Sequence, residues 1–306
     1  MRDLIIIGAG PAGLSAAVYA KRAGLDALLI DETPVYGGQV LSTYEVDNYL
    51  GLPGISGMEL GEKFSDHARK SGIETMESRV LSIDALDKGY KVRTSDGEAE
   101  AYAIIVATGA KHALLGAPGE EDLAGMGVSY CATCDGAFFR NRDVCVVGGS
   151  DVAVEDAIYL ARACKKVYLI HRRDTLRAAH SLVEEIKALE NVEFVWDSEV
   201  TKINGDGQVD SVSVHNKKTG EDSDITVQGV FIAVGINPVT ELVDKLGAKA
   251  AAGGYIEAGE DCRTSLKGIY VAGDIRKKPM RQIITAVADG ANAVQSVQAD
   301  LSELKK

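Results

Sequence analysis

The chain has 306 residues, more than one domain usually holds, and 46% are hydrophobic, so two domains with real cores are expected. Gly 33 with Pro 6 excludes collagen-like and disordered compositions. Its 33 basic and 45 acidic residues give a formal charge of −12, which argues against nucleic acid as a partner, because phosphate binding needs a basic face.

The opening MRDLIIIGAGPAGLSAAVYA is apolar enough to mimic an export signal, but Asp3 follows Arg2, and Gly8, Gly10, Pro11 and Gly13 break the run. No later stretch reaches the ~20 apolar residues of a membrane span. A cytoplasmic location without membrane contact is therefore expected. Residues 4–7 read as a strand, Gly8-Ala9-Gly10-Pro11-Ala12-Gly13 as a turn opening a helix, and residues 27–30 as a second strand ending at Asp31. Strand, glycine turn, helix, strand and acid together form the dinucleotide fingerprint in its required context. Gly8 permits the tight turn, Gly10 lets backbone approach a pyrophosphate, and Gly13 lets helix and strand pack closely. The helix N-terminus offers unpaired N–H groups to the phosphates. Asp31, with Glu32 as the fallback, can accept from ribose hydroxyls. Residues 103–110, AIIVATGA, read as the strand that closes this half at Gly109.

Next comes SYCATCDGAFF, residues 129–139, which places two of the five cysteines three positions apart and follows them with Asp135. In a reducing compartment such a pair is more often redox-active or metal-binding than structural. Zinc needs four ligands. No second CxxC is present, and the histidines at 67, 112, 171, 180 and 215 show no paired ligand spacing, so no metal is expected.

A second copy of the nucleotide unit spans residues 143–177, with strands at 144–147 and 167–170 and a helix ending near Cys164. Gly148, Gly149, Ser150, Asp151 and Ala153 occupy its turn. Where the first copy has an acid, the second has His171-Arg172-Arg173, with Arg177 one helical turn beyond. Guanidinium groups bind a ribose 2′-phosphate with charge-assisted, often bidentate bonds, so this copy should prefer NADPH. Two bonds of about 1.5–3 kcal/mol each favour it over NADH by roughly two to four powers of ten. One departure stands out, because Ser150 replaces the second glycine and should crowd a pyrophosphate. Residues 230–238, VFIAVGINP, close the second half, and residues 269–272 read as a strand ending in Gly273-Asp274 before a helix that starts near Arg281-Gln282. The expected fold is α/β, with two Rossmann-like three-layer dinucleotide-binding domains, the second inserted into the first. The outer domain takes residues 1–113 and 244–306, and the inner one takes 114–243.

GAGPAG (8–13), GGQV (37–40), DNYLG (47–51), ATG (107–109), CATCDG (131–136), HRRDTLR (171–177), GINP (235–238) and AGDIR…RQI (272–283) occur in this order and spacing. Together they resemble the low-molecular-weight thioredoxin reductases over essentially the whole chain. The resemblance implies FAD in the outer domain, held by Gly8, Gly10, Pro11, Ala12, Gly13 and Asp31. Gly38, Gln39, Asn48, Thr108 and Gly109 would lie near the flavin, Gly273 and Asp274 at the ribityl chain, and Arg281, Gln282 and Ile283 along the isoalloxazine. It also implies NADPH on Gly148, Gly149, Ser150, Asp151 and Ala153, with Arg172, Arg173 and Arg177 at the 2′-phosphate, and a homodimer whose substrate is thioredoxin. Some relatives of this family take electrons from ferredoxin, an option that Ser150 keeps open.

A flavin accepts hydride from NADPH and passes two electrons to sulfur, which makes the CxxC a relay to an external disulfide. By the same resemblance Cys134 faces the flavin, Cys131 attacks the substrate, and Asp135 exchanges protons, a role that needs a carboxyl pKa raised by burial. Cysteines and nicotinamide cannot share one face of the ring, and the family alternates them by rotating the inner domain about hinges near 112–118 and 240–247. Cys145 and Cys164 read as small core residues, in a strand and a helix. Cys262 carries no readable role. The final LSELKK lacks the second cysteine pair of the larger reductase class.

Overall fold

The computed structural model describes every residue except Tyr44, Glu45 and Asp47. Asp47 of the DNYLG stretch therefore lies outside the described residues. The chain divides into two compact units, Met1–Lys111 with Asn237–Lys306, and His112–Ile236. The expected boundaries after residues 113 and 243 lie further along the chain than these crossings. At the second crossing the cause is local. Val239 donates its N–H to the Gly109 carbonyl at 3.0 Å, and Thr108 Oγ1 donates to the Val239 carbonyl at 2.7 Å. Val243 is fully buried in the first unit's core with Ile256 and Ile275.

The first unit opens with β1 (Arg2–Ile7), α1 (Pro11–Arg22) and β2 (Ala27–Asp31). β1 is buried without alternation from Leu4 onward, as a strand covered on both faces must be. Pro11 takes the first turn of α1, where its missing N–H leaves no bond unmade. α2 (Gly57–Lys70) is capped by Ser56, whose Oγ accepts the Glu59 N–H at 3.2 Å. β3 (Glu74–Glu77), β4 (Val80–Ala85), β5 (Tyr90–Thr94) and β6 (Glu98–Val106) follow. β7 (Ala110–His112) makes the first crossing.

The second unit repeats the plan. It contains β8 (Val128–Ser129), α3 (Ala132–Asp135), β9 (Asp143–Gly148), α4 (Asp151–Ala161), β10 (Lys166–Ile170), α5 (His180–Lys187) and β11 (Val192–Val195). An antiparallel meander of β12 (Ser198–Gly205), β13 (Val209–Asn216) and β14 (Asp222–Thr226) precedes β15 (Gly229–Ala233). β16 (Ile236–Pro238) pairs with β7 at the second crossing. α6 (Glu241–Asp244), β17 (Ile269–Val271) and α7 (Ile283–Leu304) complete the first unit.

Both sheets share one topology. In the first unit β3, β2, β1, β6 and β17 run parallel, and β4 and β5 add an antiparallel flap. One edge of the nine-residue β6 lies on β1, and its other edge takes β5 along the first half and β17 along the second. In the second unit the order is β11-β10-β9-β15-β8, all parallel. The duplicated α/β reading of the sequence thus holds. In each unit β1 or β9 sits where the strand order reverses, the place at which open α/β sheets bind ligands beyond the strand ends.

Candidate active site

In the first unit four strand ends converge. Gly8 follows β1 at φ +103°, a conformation that L side chains rarely adopt, and a Cβ there would strike the Ala107 carbonyl after β6. A Cβ on Gly13 would run into the Gly8 carbonyl. Gly10 and Gly38 face each other with only 4.0 Å between the Gly38 Cα and a Cβ placed on Gly10. α1 has no side-chain cap, so its first N–H groups are left for a ligand. Asp31, at the end of β2, is held within the chain. Its Oδ2 accepts the Ala9 N–H at 2.6 Å and its Oδ1 accepts from the Thr33 N–H and Oγ1, so the carboxylate ties the glycine turn to β2.

Around this cradle the structure gathers most of the other expected residues. Gln39 Nε2 lies 3.8 Å from a Cβ placed on Gly109. Asn48 Nδ2 donates to Gln282 Oε1 at 3.1 Å, and Gln282 caps α7 through a reciprocal box with Thr285. Ile283, the first residue of α7, packs on the Val40–Val46–Ile55–Leu60 cluster. Asp274 Oδ1 and Arg281 Nε are buried and accept or donate no hydrogen bond among the described residues. The Arg281 guanidinium lies 3.7 Å over the Tyr255 ring.

Beneath the Gly273–Asp274 turn lies a charge network that the sequence reading missed. Asp289 of α7 accepts from the Gly273 N–H at 2.9 Å, from Arg276 Nη2 at 2.7 Å and Nε at 3.2 Å, and from Lys278 Nζ at 3.1 Å. The only hint was one acid inside the otherwise small and apolar run TAVADGANAV. Cys262 also meets this network, its Sγ donating to the Asp289 carbonyl at 3.4 Å, and burial pushes its thiol pKa up to about 12.

In the second unit Cys131 and Cys134 form a disulfide at the start of α3, with Cα atoms 5.3 Å apart. Ser129, which the sequence reading did not single out, organises the site. Its hydroxyl donates to Asp135 Oδ2 at 2.6 Å and accepts the Cys131 N–H at 3.1 Å. Asp135 Oδ1 stays buried without a hydrogen bond among the described residues. Burial raises the Asp135 pKa, and the Ser129 bond partly opposes that rise. Next along the chain Tyr130 donates to Glu120 Oε1 at 2.9 Å, and the two oxygens of this buried acid accept the Leu115 and Gly116 N–H groups.

The second fingerprint sits at the end of β9. Ser150 is the N-cap of α4 at φ −91°, ψ 176°, close to Gly10 at φ −77°, ψ −176°, so the serine adopts the same backbone without strain. Asp151 Oδ1 accepts the Ala179 N–H at 2.7 Å, and Ala153 is fully buried beside Gly148. A Cβ on Gly149 would fall inside the His171 ring, which burial and the nearby Arg177 keep below its usual pKa. Arg177 lies in the loop before α5 rather than on a helix, its N–H bound to the Gly149 carbonyl at 2.7 Å. Arg172, Arg173 and Arg177 are exposed, and no carboxylate of the described residues pairs with them. Cys145 is buried in β9, whereas Cys164 falls just beyond the end of α4.

Two dinucleotide folds and a dithiol pair beside a protonatable acid define a nucleotide-dependent disulfide oxidoreductase. Residues 2–290 match the model of the pyridine nucleotide-disulphide oxidoreductase family, and the chain belongs to that family. It is 47% identical over 307 residues to a thioredoxin reductase of Listeria innocua, covering 99% of this chain and 95% of that protein. It is 45% identical over 307 residues to the thioredoxin reductase of Bacillus subtilis, covering 99% and 96%. The crystal structure of thioredoxin reductase from Streptococcus pyogenes superimposes with a TM-score of 0.93 at 46% identity, covering 99% of each chain. That of Lactococcus lactis thioredoxin reductase in its FR conformation gives 0.69 at 42%, covering 99% and 100%. Membership carries the use of a flavin and a pyridine nucleotide. Among the described residues no helix is long and apolar enough to cross a membrane.

Proposed function

We propose that this chain is a thioredoxin reductase that carries FAD in its first unit and draws reducing equivalents from NADPH on its second. The observation that carries the reading is the Cys131–Cys134 disulfide beside Asp135, whose free Oδ1 is buried and whose Oδ2 is fixed by Ser129. FAD is supported by the close approach of Gly10 and Gly38, where no side chain stands between the two backbones, by the uncapped start of α1, and by the buried Asp274 Oδ1 and Arg281 Nε, which make no hydrogen bond among the described residues. NADPH is supported by the three unpaired arginines beside the second glycine turn, and Ser150 keeps the backbone that the turn requires.

The residues at the first glycine turn would hold a flavin whose chemistry, when bound, would be to take hydride from the nicotinamide and supply two electrons to Cys131 and Cys134. Cys131, as thiolate, then attacks one sulfur of the oxidised thioredoxin disulfide. Cys134 attacks Cys131 Sγ in turn, restoring the internal disulfide and releasing thioredoxin as a dithiol. Asp135, whose carboxyl burial pushes above the usual carboxylate range, lends and recovers the proton that these thiols exchange. The working form is a cytoplasmic homodimer.

Anaerobic mixing with NADPH, and separately with NADH, tests the donor through the flavin absorbance. Fast bleaching by NADPH alone, followed by recovery when oxidised thioredoxin is added, is expected. Bleaching by dithionite but by neither nucleotide would refute the NADPH assignment and indicate a ferredoxin-type donor.

A further inference from the structure

The Gly273–Asp274 turn rests on three buried charges, Arg276, Lys278 and Asp289, and Asp289 does not need all of its partners. Asp289 is already satisfied without Lys278, since the Gly273 N–H and two Arg276 nitrogens occupy both of its oxygens. Yet the Lys278 side chain is only 3% exposed, far below what an amine normally tolerates. Its Nζ lies 3.1 Å from Asp289 Oδ2, 3.5 Å from Asp274 Oδ1 and 3.3 Å from Thr285 Oγ1. Thr285 Oγ1 in turn accepts the Gln282 N–H at 3.1 Å and so holds the first turn of α7. One ammonium therefore ties together the turn at 273–275, the start of α7 and the acid beneath both.

We propose that Lys278 is a positioning residue for the flavin, whose charge holds Asp274 as the carboxylate that accepts a ribityl hydroxyl. This rests on the reading of Asp274 as a flavin contact. Asp274 and Asp289 carry two negative charges, and Arg276 and Lys278 carry two positive ones. Asp289 takes up Arg276, which leaves Lys278 to balance Asp274. Burial drives the Asp274 carboxyl upward. Lys278 is the chief influence against that rise, Arg281 the next, and Asp289 adds to it. Without Lys278 the upward push of burial on the Asp274 carboxyl goes largely unopposed, and once that carboxyl is protonated a charge-assisted bond to the ligand becomes an ordinary one.

The test is FAD release on dilution of the holoenzyme, followed by free-flavin fluorescence between about pH 6 and pH 9, for K278M, D274N and the double variant. K278M should weaken FAD binding by about tenfold near pH 7, the difference between a charged and a neutral hydrogen bond. That loss should shrink as pH rises and Asp274 ionises. D274N should weaken binding similarly at every pH, and the double variant should be no worse than D274N. If K278M binds FAD as tightly as the unaltered protein, or loses the same factor at all pH values, Lys278 is a structural ion-pair partner only. If D274N retains full affinity, the ribityl contact itself is wrong. K278Q, which keeps a donor without the charge, must show the same pH signature and serves if K278M does not fold.

Discussion

Replacing Asp289 by Asn tests how the first unit is held together. The side chains of Asp289, Arg276 and Lys278 are 3%, 4% and 3% exposed, so none can recover its lost partner from water. Four donors converge on this carboxylate. Asn keeps the shape but removes the charge and turns one oxygen into a competing donor. Breaking a buried ion pair from one side costs about 3–5 kcal/mol. With a urea slope of about 2–3 kcal/mol/M, the unfolding midpoint of the first unit should fall by about 1–2 M. Far-UV circular dichroism of flavin-free protein follows the whole chain, while Trp196, the sole tryptophan, reports the second unit. The dichroism transition should move and the fluorescence transition should move much less. A midpoint within about 0.3 M of the unaltered protein would refute the claim that this network anchors the turn.

Gly149→Ala should destabilise the second unit by about 1–3 kcal/mol, because its Cβ enters the His171 ring, with Nε2 at 2.6 Å. Truncating that ring in G149A/H171A should recover much of the loss, and strictly additive melting temperatures would exclude the clash. Asp156 has its pKa pushed up to about 7 by burial and by neighbouring Glu155. Its stabilising contribution is therefore complete below about pH 4 and is lost as pH rises through 7, so Asp156→Asn should be near neutral at pH 4 and more stable than the parent at pH 8. Equal effects in urea titrations at the two pH values would contradict this. Arg177→Ala should raise the KM for NADPH about tenfold and leave that for NADH unchanged, whereas parallel losses would remove the arginine from 2′-phosphate recognition.

Local sterics wrote much of this protein into its sequence. Each glycine turn, its following helix and the acid or arginine at the next strand end lie within a few dozen residues, and the backbone conformations they need leave few residue choices. That is why both fingerprints, the CxxC and the repeated α/β plan were legible before any fold was seen. The inner boundary was not, because residues 237–243 join the first unit through Val239 and Val243, contacts to strands more than a hundred positions earlier. Nor was the helical position expected for Arg177, whose loop is held by bonds at the start of α4, from the Arg177 N–H to the Gly149 carbonyl and from the Ala179 N–H to Asp151. Ser129 gave no signal, since a serine before a cysteine has meaning only once α3 folds Asp135 back onto it. Arg281 found Tyr255, and Lys278 and Arg276 found Asp289, across α7 and the turn beneath it. Sequence sets which charges exist and where the chain must turn. Only tertiary packing decides which of those charges lose their water and must therefore find one another.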